Sequence, residues 1–267
     1  MIPPTSIDGT DITGATIDGT DVQEITVDGD VVFSASQIPN SVIHEYLFDE
    51  GVGQTVNDSV GNQDISTNFA NWVSDPDYEG GFALQADGVN DFGQSGTMGS
   101  FGADMNTDFA VELVLSTTSN GRILGVVNSA DETVLALNTF TTFDGANDKL
   151  TCVTRSSNDN SDFNSIDSTI DVTTGNLLHI IWNKVTNDPN NWEIQINGND
   201  RTGVVNRANF KANETTNFDN PMGYFGLSNA VNSVISLIQG EIAVVRWYDD
   251  SLSSSELNSL WQQQPFS

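Results

Sequence analysis

The sequence predicts an all-β fold, a sandwich or barrel, with a short N-terminal β-repeat region and a C-terminal helix. Three observations carry that expectation. Short runs rich in β-branched and aromatic residues recur along most of the chain, separated by Asn, Asp, Gly and Ser. A ten-residue repeat fills the first 36 residues. Helical signals are nearly absent until the last fifteen residues.

The repeat comes first. IDGTDITGAT from Ile7, IDGTDVQEIT from Ile17 and VDGDVVFSAS from Val27 align without gaps. Asp8-Gly9, Asp18-Gly19 and Asp28-Gly29 are strong turn dipeptides, and apolar and polar residues alternate between them. Three short β-segments joined by tight turns are expected. Such a ribbon has almost no core of its own, so it must pack on the rest of the chain, on copies of itself or on another protein. The nonapeptide calcium pattern, which needs a Gly-Gly-x-Gly-x-Asp run, is missing. Residues 1–38 are therefore assigned to docking or oligomerisation and 39–267 to the sandwich, with SASQIP (Ser34 to Pro39) as the linker.

Within the sandwich, Phe109, Val111, Leu113 and Leu115 alternate with Ala110, Glu112 and Val114. Trp192, Ile194 and Ile196 alternate with Glu193 and Gln195, and Asn197-Gly198 closes a hairpin. Leu177 to Val185 and Glu241 to Tyr248 read as strands buried more fully. At the C-terminus Ser253 and Glu256 form a capping box, after which Leu257, Leu260 and Trp261 share a helix face; this helix is expected on the sandwich edge.

Charge is the most informative part of the composition. Thirty-seven acidic residues face eight basic ones, for a formal net charge of −29. Most of the acid is Asp (27, against 10 Glu), and it is scattered through the whole chain rather than gathered in loops or a tail. In dilute buffer such a surface repels itself, whereas at about 1 M salt the Debye length falls to roughly 3 Å and screens the repulsion. Uniform acidity thus reads as adaptation to concentrated salt. The same field argues against nucleic acid and anionic membranes as partners. Cys152 is the only cysteine, a core residue rather than half of a disulfide. No run of about 18 apolar residues announces membrane insertion, and MIPPTSIDGT reads as no secretory signal.

From His44 onward, landmarks follow the order of laminin-G-like, concanavalin-A-like jelly-roll domains. YLFDEGVG (Tyr46 to Gly53) with VNDSVGN (Val56 to Asn62) resembles that family's opening strand and loop. Phe82-Ala83-Leu84 with DGVNDF (Asp87 to Phe92), and DFAVEL (Asp108 to Leu113), resemble its next signatures. LHIIW (Leu178 to Trp182) with EIQING (Glu193 to Gly198) is similar to the central hairpin, and Ile238 to Tyr248 with Leu252, Ser253, Glu256 and Leu257 to the closing strand and helical tail. The resemblance covers about 220 residues. It implies a two-sheet antiparallel jelly-roll sandwich, and a module that recognises carbohydrate or protein surfaces and often holds calcium, although one fold hosts many functions. Ala243 stands where the family often has an acidic residue tied to calcium, which weakens that implication at this edge. The N-terminal repeats, ending in Val-Phe-Ser, are similar to segments of structural proteins of haloarchaeal tailed viruses.

Candidate site residues follow from chemistry. Hard cations want clustered carboxylate and carbonyl oxygens in turns, which nominates Asp49, Asp58, Asp87, Asn90 and Asp91 for Ca2+. Sugar-recognition surfaces pair exposed aromatics with planar polar groups, which nominates Trp72, Tyr78, Phe143, Phe163, Phe210 and Phe218. The stretch SSNDNSDFNSIDS (Ser156 to Ser168) is expected to be a polar contact loop. No catalytic residues are nominated. Hydrolases on this sandwich need paired carboxylates, and the Glu-x-Asp-x-(x)-Glu run is missing. Glu112 is the only acid of its strand, and alternation places it outward on a solvated face. His44 and His179 are each expected in a strand, with no nucleophile motif beside them.

The expectation is a non-enzymatic virion protein in an extracellular, high-salt setting. Its repeats would bind other virion proteins or sister chains in a homo-oligomer, and its sandwich a host cell-surface glycan or glycoprotein. The alternatives are a purely structural decoration protein and a glycan-degrading enzyme on the same fold. Circular dichroism tests the underlying premise: β-structure should hold in molar KCl and fade as salt is diluted, whereas an unchanged spectrum in dilute buffer would refute salt adaptation.

Overall fold

In a computed structural model the chain divides into two compact units, Met1–Pro39 and Asn40–Ser267. The structure describes residues 38–68, 71–75, 77–89, 91–97, 108–127, 133–139, 148–155, 163–208, 222–225 and 238–264, together with the backbone of six short segments before them. Those six segments are β1 (Ser6–Ile7), β2 (Thr10–Asp11), β3 (Thr16–Ile17), β4 (Thr20–Asp21), β5 (Glu24–Val27) and β6 (Asp30–Ser34). They form three separate antiparallel hairpins, β1–β2, β3–β4 and β5–β6. Ile7 pairs with Thr10, Ile17 with Thr20 and Val27 with Asp30, so only an Asp-Gly pair separates the partners in each hairpin. One β-segment per repeat is expected from the sequence; two paired segments flanking the Asp-Gly dipeptide are found in each repeat.

The second unit begins with β7 (Val42–Tyr46), β8 (Thr55–Val56), β9 (Ile65–Asn68), β10 (Asn71–Ser74), β11 (Phe82–Asp87) and β12 (Phe92–Thr97). Next come β13 (Phe109–Thr117), β14 (Arg122–Val127), β15 (Thr133–Asn138), β16 (Lys149–Arg155), β17 (Phe163–Asp171) and β18 (Leu178–Lys184). It ends with β19 (Glu193–Ile196), β20 (Asn199–Asp200), β21 (Thr202–Ala208), β22 (Met222–Phe225), β23 (Gln239–Tyr248) and the helix α1 (Ser254–Gln262). One sheet runs β10-β11-β23-β13-β18-β19-β20, with β7 also paired to β23; the other runs β21-β17-β16-β15-β14-β22-β12-β9-β8. Every pairing is antiparallel, giving an all-β sandwich. The predicted polar loop Ser156 to Ser168 is strand from Phe163 on: Asn164, Ile166 and Ser168 face inward, and with one apolar residue among them the period was hidden.

Between the sheets lies an apolar core. Phe109, Val111, Leu113 and Leu115 of β13 meet Leu124, Leu135, Leu137, Cys152 and Ile166 of the opposing sheet, with Trp182 and Trp247 among the largest fully buried side chains. The predicted alternation of β13 is real, but its consequence is not. Glu112 is fully buried rather than solvated, because the eight-stranded sheet is covered on its second face as well. Tyr78, Ala83, Val114, Ala243 and Val244 pack together on that face. Helix α1 lies there too, not on the sandwich edge as expected. Trp261 stacks on His179 with ring centroids 5.9 Å apart, and Asn183 Nδ2 donates to the Leu252 carbonyl at 2.9 Å. Both partners belong to β18, inside the sheet, so a third layer rather than solvent faces Glu112.

The helix is anchored at both ends. Ser253 accepts from the Glu256 amide while the Glu256 carboxylate accepts from the Ser253 amide, the capping box read from the sequence. At the far end Trp261 rests on the β19–β20 turn, where Asn197 (φ 52°) and Gly198 (φ 69°) adopt the left-handed backbone of a two-residue hairpin. A Cβ on Gly198 would stand 2.3 Å from Trp261 Cδ1. Gly198→Ala should therefore destabilise the fold by about 2 kcal/mol, through overpacking and loss of left-handed freedom. The check is a lowered urea midpoint; an unchanged midpoint would show that α1 does not clamp this turn.

Candidate functional site

The polar centre of the molecule is a buried cluster on the second face of the eight-stranded sheet. Register places Glu45 of β7 opposite Arg246 of β23, and Arg246 opposite Glu112 of β13. Arg246 donates through Nε to Glu45 (2.7 Å), through Nη2 to Glu79 (2.7 Å) and through Nη1 to Glu112 (3.2 Å). Glu112 also engages His179 Nε2 at 2.8 Å and accepts from the Tyr248 hydroxyl at 2.6 Å. Burial pushes the Glu112 carboxyl up, but Arg246, His179 and Tyr248 outweigh it and hold the group at about 2. An ionised carboxylate with both oxygens engaged in a fully buried place is a structural anchor. It has neither the raised pKa nor the access of a general acid.

Among the described nominated cation ligands, Asp87 and Asp91 come together, through the Asp87 amide. Asp49 and Asp87 are exposed. Asp58 is buried and already satisfied: its carboxylate meets His44 Nδ1 at 2.6 Å and accepts from the amides of Glu45, Gly61 and Gln63. Burial raises the Asp58 pKa, yet His44 and these amides bring it below the usual carboxylate range. Asp91 is buried and accepts from the Asp87 amide at 3.0 Å, closing its own turn. Asn90 lies outside the described residues. Among the described residues no group of three or more His, Cys, Asp or Glu could hold a metal ion.

The nominated aromatics are dispersed. Trp72 is half-buried in β10 rather than in a loop, packs against the core, and donates through Nε1 to the Gly53 carbonyl at 3.0 Å. Tyr78 is buried on the second face of the eight-stranded sheet, its hydroxyl donating to Glu241. Phe163 is half-buried in β17. Phe143, Phe210 and Phe218 lie outside the described residues.

Phe163 leads to the arrangement best suited to a ligand. It pairs across strands with Arg155 of β16, on the side of the nine-stranded sheet that faces away from the core. Further along this face, register aligns Arg122, Asn138, Thr151 and Asp167 from β14 to β17. Arg122 Nε donates to Asn138 Oδ1 at 2.9 Å, and the Thr151 hydroxyl to Asp167 Oδ1 at 2.7 Å. Between that row and Arg155 lie Gly125, Ala136, Val153 and Ser165, mostly small. Arg122 extends over Gly125: a Cβ there would be 3.4 Å from its Cδ and 3.9 Å from its Nη1. Although this row points away from the core, Arg122, Asn138, Thr151 and Asp167 are all buried; Arg155 and Phe163 are half-buried, so the strip opens at their end. Burial, then the neighbouring charge of Arg155, pushes the Arg122 guanidinium down to about 10. The sequence reading missed both arginines. Their signal was scarcity: they are two of only eight basic residues.

No family model matches the chain, and no curated protein matches it in sequence. Solved structures show the fold. A Trypanosoma rangeli sialidase in complex with 2,3-difluorosialic acid is 13% identical with a TM-score of 0.60; the match covers 91% of this chain but 36% of the sialidase. The binding domain of botulinum neurotoxin DC, in complex with SialylT, is 14% identical with a TM-score of 0.58, over 84% of this chain and 52% of that one. Domain 4 of AbnA, an extracellular arabinanase of Geobacillus stearothermophilus, in complex with arabinotriose, is 18% identical with a TM-score of 0.54, over 83% of this chain and 98% of that domain. The chain thus spans about a third of the sialidase and nearly the whole of the arabinanase domain. At these identities the likeness is one of β-sandwich fold.

The anchor predicts a pH dependence with a defined sign. Glu112 titrates at about 2 in the folded chain against an ordinary 4.5, so its stabilisation is complete above about pH 4.5 and is lost as pH falls toward 2. That span corresponds to ~3 kcal/mol. Urea titrations between pH 2 and 6 should show this acid limb in the native chain and a shallower one in Glu112→Gln; equal slopes would mean that Glu112 is not the group responsible.

Proposed function

We propose that this chain is a non-catalytic glycan-binding protein displayed on the surface of a haloarchaeal virus particle. The sandwich meets a host cell-surface glycan or glycoprotein through the outer face of the nine-stranded sheet, and the hairpin repeats of residues 1–38 dock on other virion proteins or on sister chains. The observation that carries the binding assignment is the cross-strand pair of Phe163 and Arg155, half-buried at the open end of a buried polar row. A sugar ring asks for that combination: an aromatic surface for its C–H face and planar polar groups for its hydroxyls. The crystallised arabinotriose complex of a domain with this fold, matched over 98% of its length, agrees with it.

Binding rather than turnover is supported by the state of the carboxylates. On this face Asp167 is tied to Thr151, and Glu112 is locked on the other sheet beneath a third layer. Glycoside hydrolysis asks for two carboxyl groups about 5–10 Å apart across a cleft, one with a raised pKa. The virion setting is supported by the net charge of −29 and by the repeats, whose described strands pair two by two in separate sheets. Many copies on one particle would raise a weak single-site affinity by avidity.

The test is adsorption of the full chain to haloarchaeal cells and to their isolated envelope polysaccharide in molar KCl. Saturable binding is expected, reduced several-fold by Phe163→Ala with an unchanged circular dichroism spectrum. A folded protein that ignores both cells and polysaccharide would overturn the binding assignment in favour of a purely architectural role.

A further inference from the structure

His179 lies between the buried carboxylate of the eight-stranded sheet and the helix that covers it. Its Nε2 engages Glu112 Oε1 at 2.8 Å, and its ring stacks on the indole of Trp261 with centroids 5.9 Å apart and planes 15° from parallel. The side chain is 1% exposed. Trp261 stands in the last turn of α1, which carries no basic residue, so the helix itself offers no cation to the partial negative charge of its C-terminal end. That end is also imperfectly seated. Gln264, 4% exposed, reaches the same Glu112 oxygen through Nε2 only at 3.5 Å, and its Oε1 is buried without a hydrogen-bond partner. Release of α1 would give that carbonyl back to water, which offsets part of what docking gains.

We propose that His179 is a pH-sensitive latch for α1: the helix is held tightly while the imidazole is protonated and more loosely when it is neutral. Three partners favour the charged ring. The Glu112 carboxylate does so through a charge-assisted hydrogen bond, the face of Trp261 through a cation–π contact, and the C-terminal end of α1 through its dipole. Two of the three belong to the helix, so protonation strengthens docking and docking in turn favours the proton. The surrounding charges agree in sign. Beyond Glu112, β23 brings Arg246 and Tyr248. Arg246 opposes a second cation, but it is held by Glu45 and Glu79 as well as Glu112, so carboxylates outnumber it. Strand β19 places Glu193 opposite Asn183, at the far end of β18, and the turn after it brings the uncharged Asn197. Lys184, on β18 itself, lies over Phe109 and Trp192 on the core side. The acid of α1, Glu256, sits in its first turn and is committed to Ser253. An imidazole changes charge between about pH 5 and 8, well above the range in which the Glu112 anchor is lost. The latch stands apart from the glycan-binding reading and does not depend on it.

The experiment is amide hydrogen exchange of the full chain in molar KCl between pH 5 and 8, corrected for the intrinsic pH dependence of exchange. Protection of the α1 amides should fall by about tenfold from the acid to the alkaline end, while that of β13 and β18 stays level. His179→Gln keeps a hydrogen-bond donor for Glu112 but takes up no proton. Its helix should show the weaker protection at both ends of the range. Should that variant fail to fold, NMR titration of the His179 ring decides: the ring should protonate at lower pH in Trp261→Leu than in the native chain, because part of the helix's preference for the charged form is gone. Protection of α1 that ignores pH in the native chain overturns the latch. So does a pH dependence that persists in His179→Gln, or a His179 titration that Trp261→Leu does not move.

Discussion

The eight-stranded sheet is organised by the need to bury Arg246 among carboxylates. Removing a guanidinium from water costs several kcal/mol unless its donors and charge are matched, and here three glutamates supply the match. They come from three places: Glu112 from the next strand, Glu45 from the strand on the other side, and Glu79 from the segment between β10 and β11. Their side chains run from 0% exposed at Glu112 through 13% at Glu45 to 37% at Glu79, so the cluster reaches from the sheet centre to its rim. The requirement fixes register. A slip of one residue in β13 would turn Glu112 into the apolar core and Val111 or Leu113 onto the charged face. The cover raises the stakes, because shutting water out opposes the Glu112 charge and leaves Arg246, His179 and Tyr248 to supply what solvent would. Helix α1 and Tyr78 are part of that cover, which is why a sandwich of two layers acquires a third.

This constraint separates what was legible in the sequence from what was not. The strands of strong alternation, such as Phe109 to Leu115 and Trp192 to Ile196, announced themselves, as did the Asn197-Gly198 turn and the capping box at Ser253. Each depends on residues within a few positions of one another. Glu112 misled because alternation reports which residues share a face and not whether that face is wet. Its burial follows from Arg246, 134 positions away, and from a helix assigned to the wrong place. Strand β17 was misread for the opposite reason. Its inward residues Asn164 and Ser168 are polar, and Ser168 spends its hydroxyl on backbone groups, accepting from the Leu150 amide and donating to the Ile170 carbonyl. Local composition there says loop, while pairing on both sides says strand.

The candidate site was less legible still, because it is defined by neighbours across strands. Phe163 was singled out for its aromatic ring in a polar stretch, and the structure gives it the partner, Arg155, that composition could not. The nominated acids fared differently. Asp58 and Asp91 serve the chain itself, the first gathering amides of its own loop against His44 and the second closing a turn. In a protein with 27 Asp, turn-forming carboxylates are too common to mark a cation site.

The distribution of positive charge links the two sheets. Arg122, Lys184 and Arg246 are buried, and Lys184 lies over the rings of Phe109 and Trp192 at 5.1 and 5.9 Å. A chain that keeps so few cations and withdraws these from its surface has little positive charge there to offset 37 acids, which is tolerable where salt is concentrated enough to screen their repulsion. The same screening would erase recognition based on exposed charges. A charged contact that is to work in molar salt has to be desolvated. The Arg246–Glu112 contact meets that condition, both side chains being almost fully buried, so the anchor of the eight-stranded sheet keeps its strength where exposed pairs are screened.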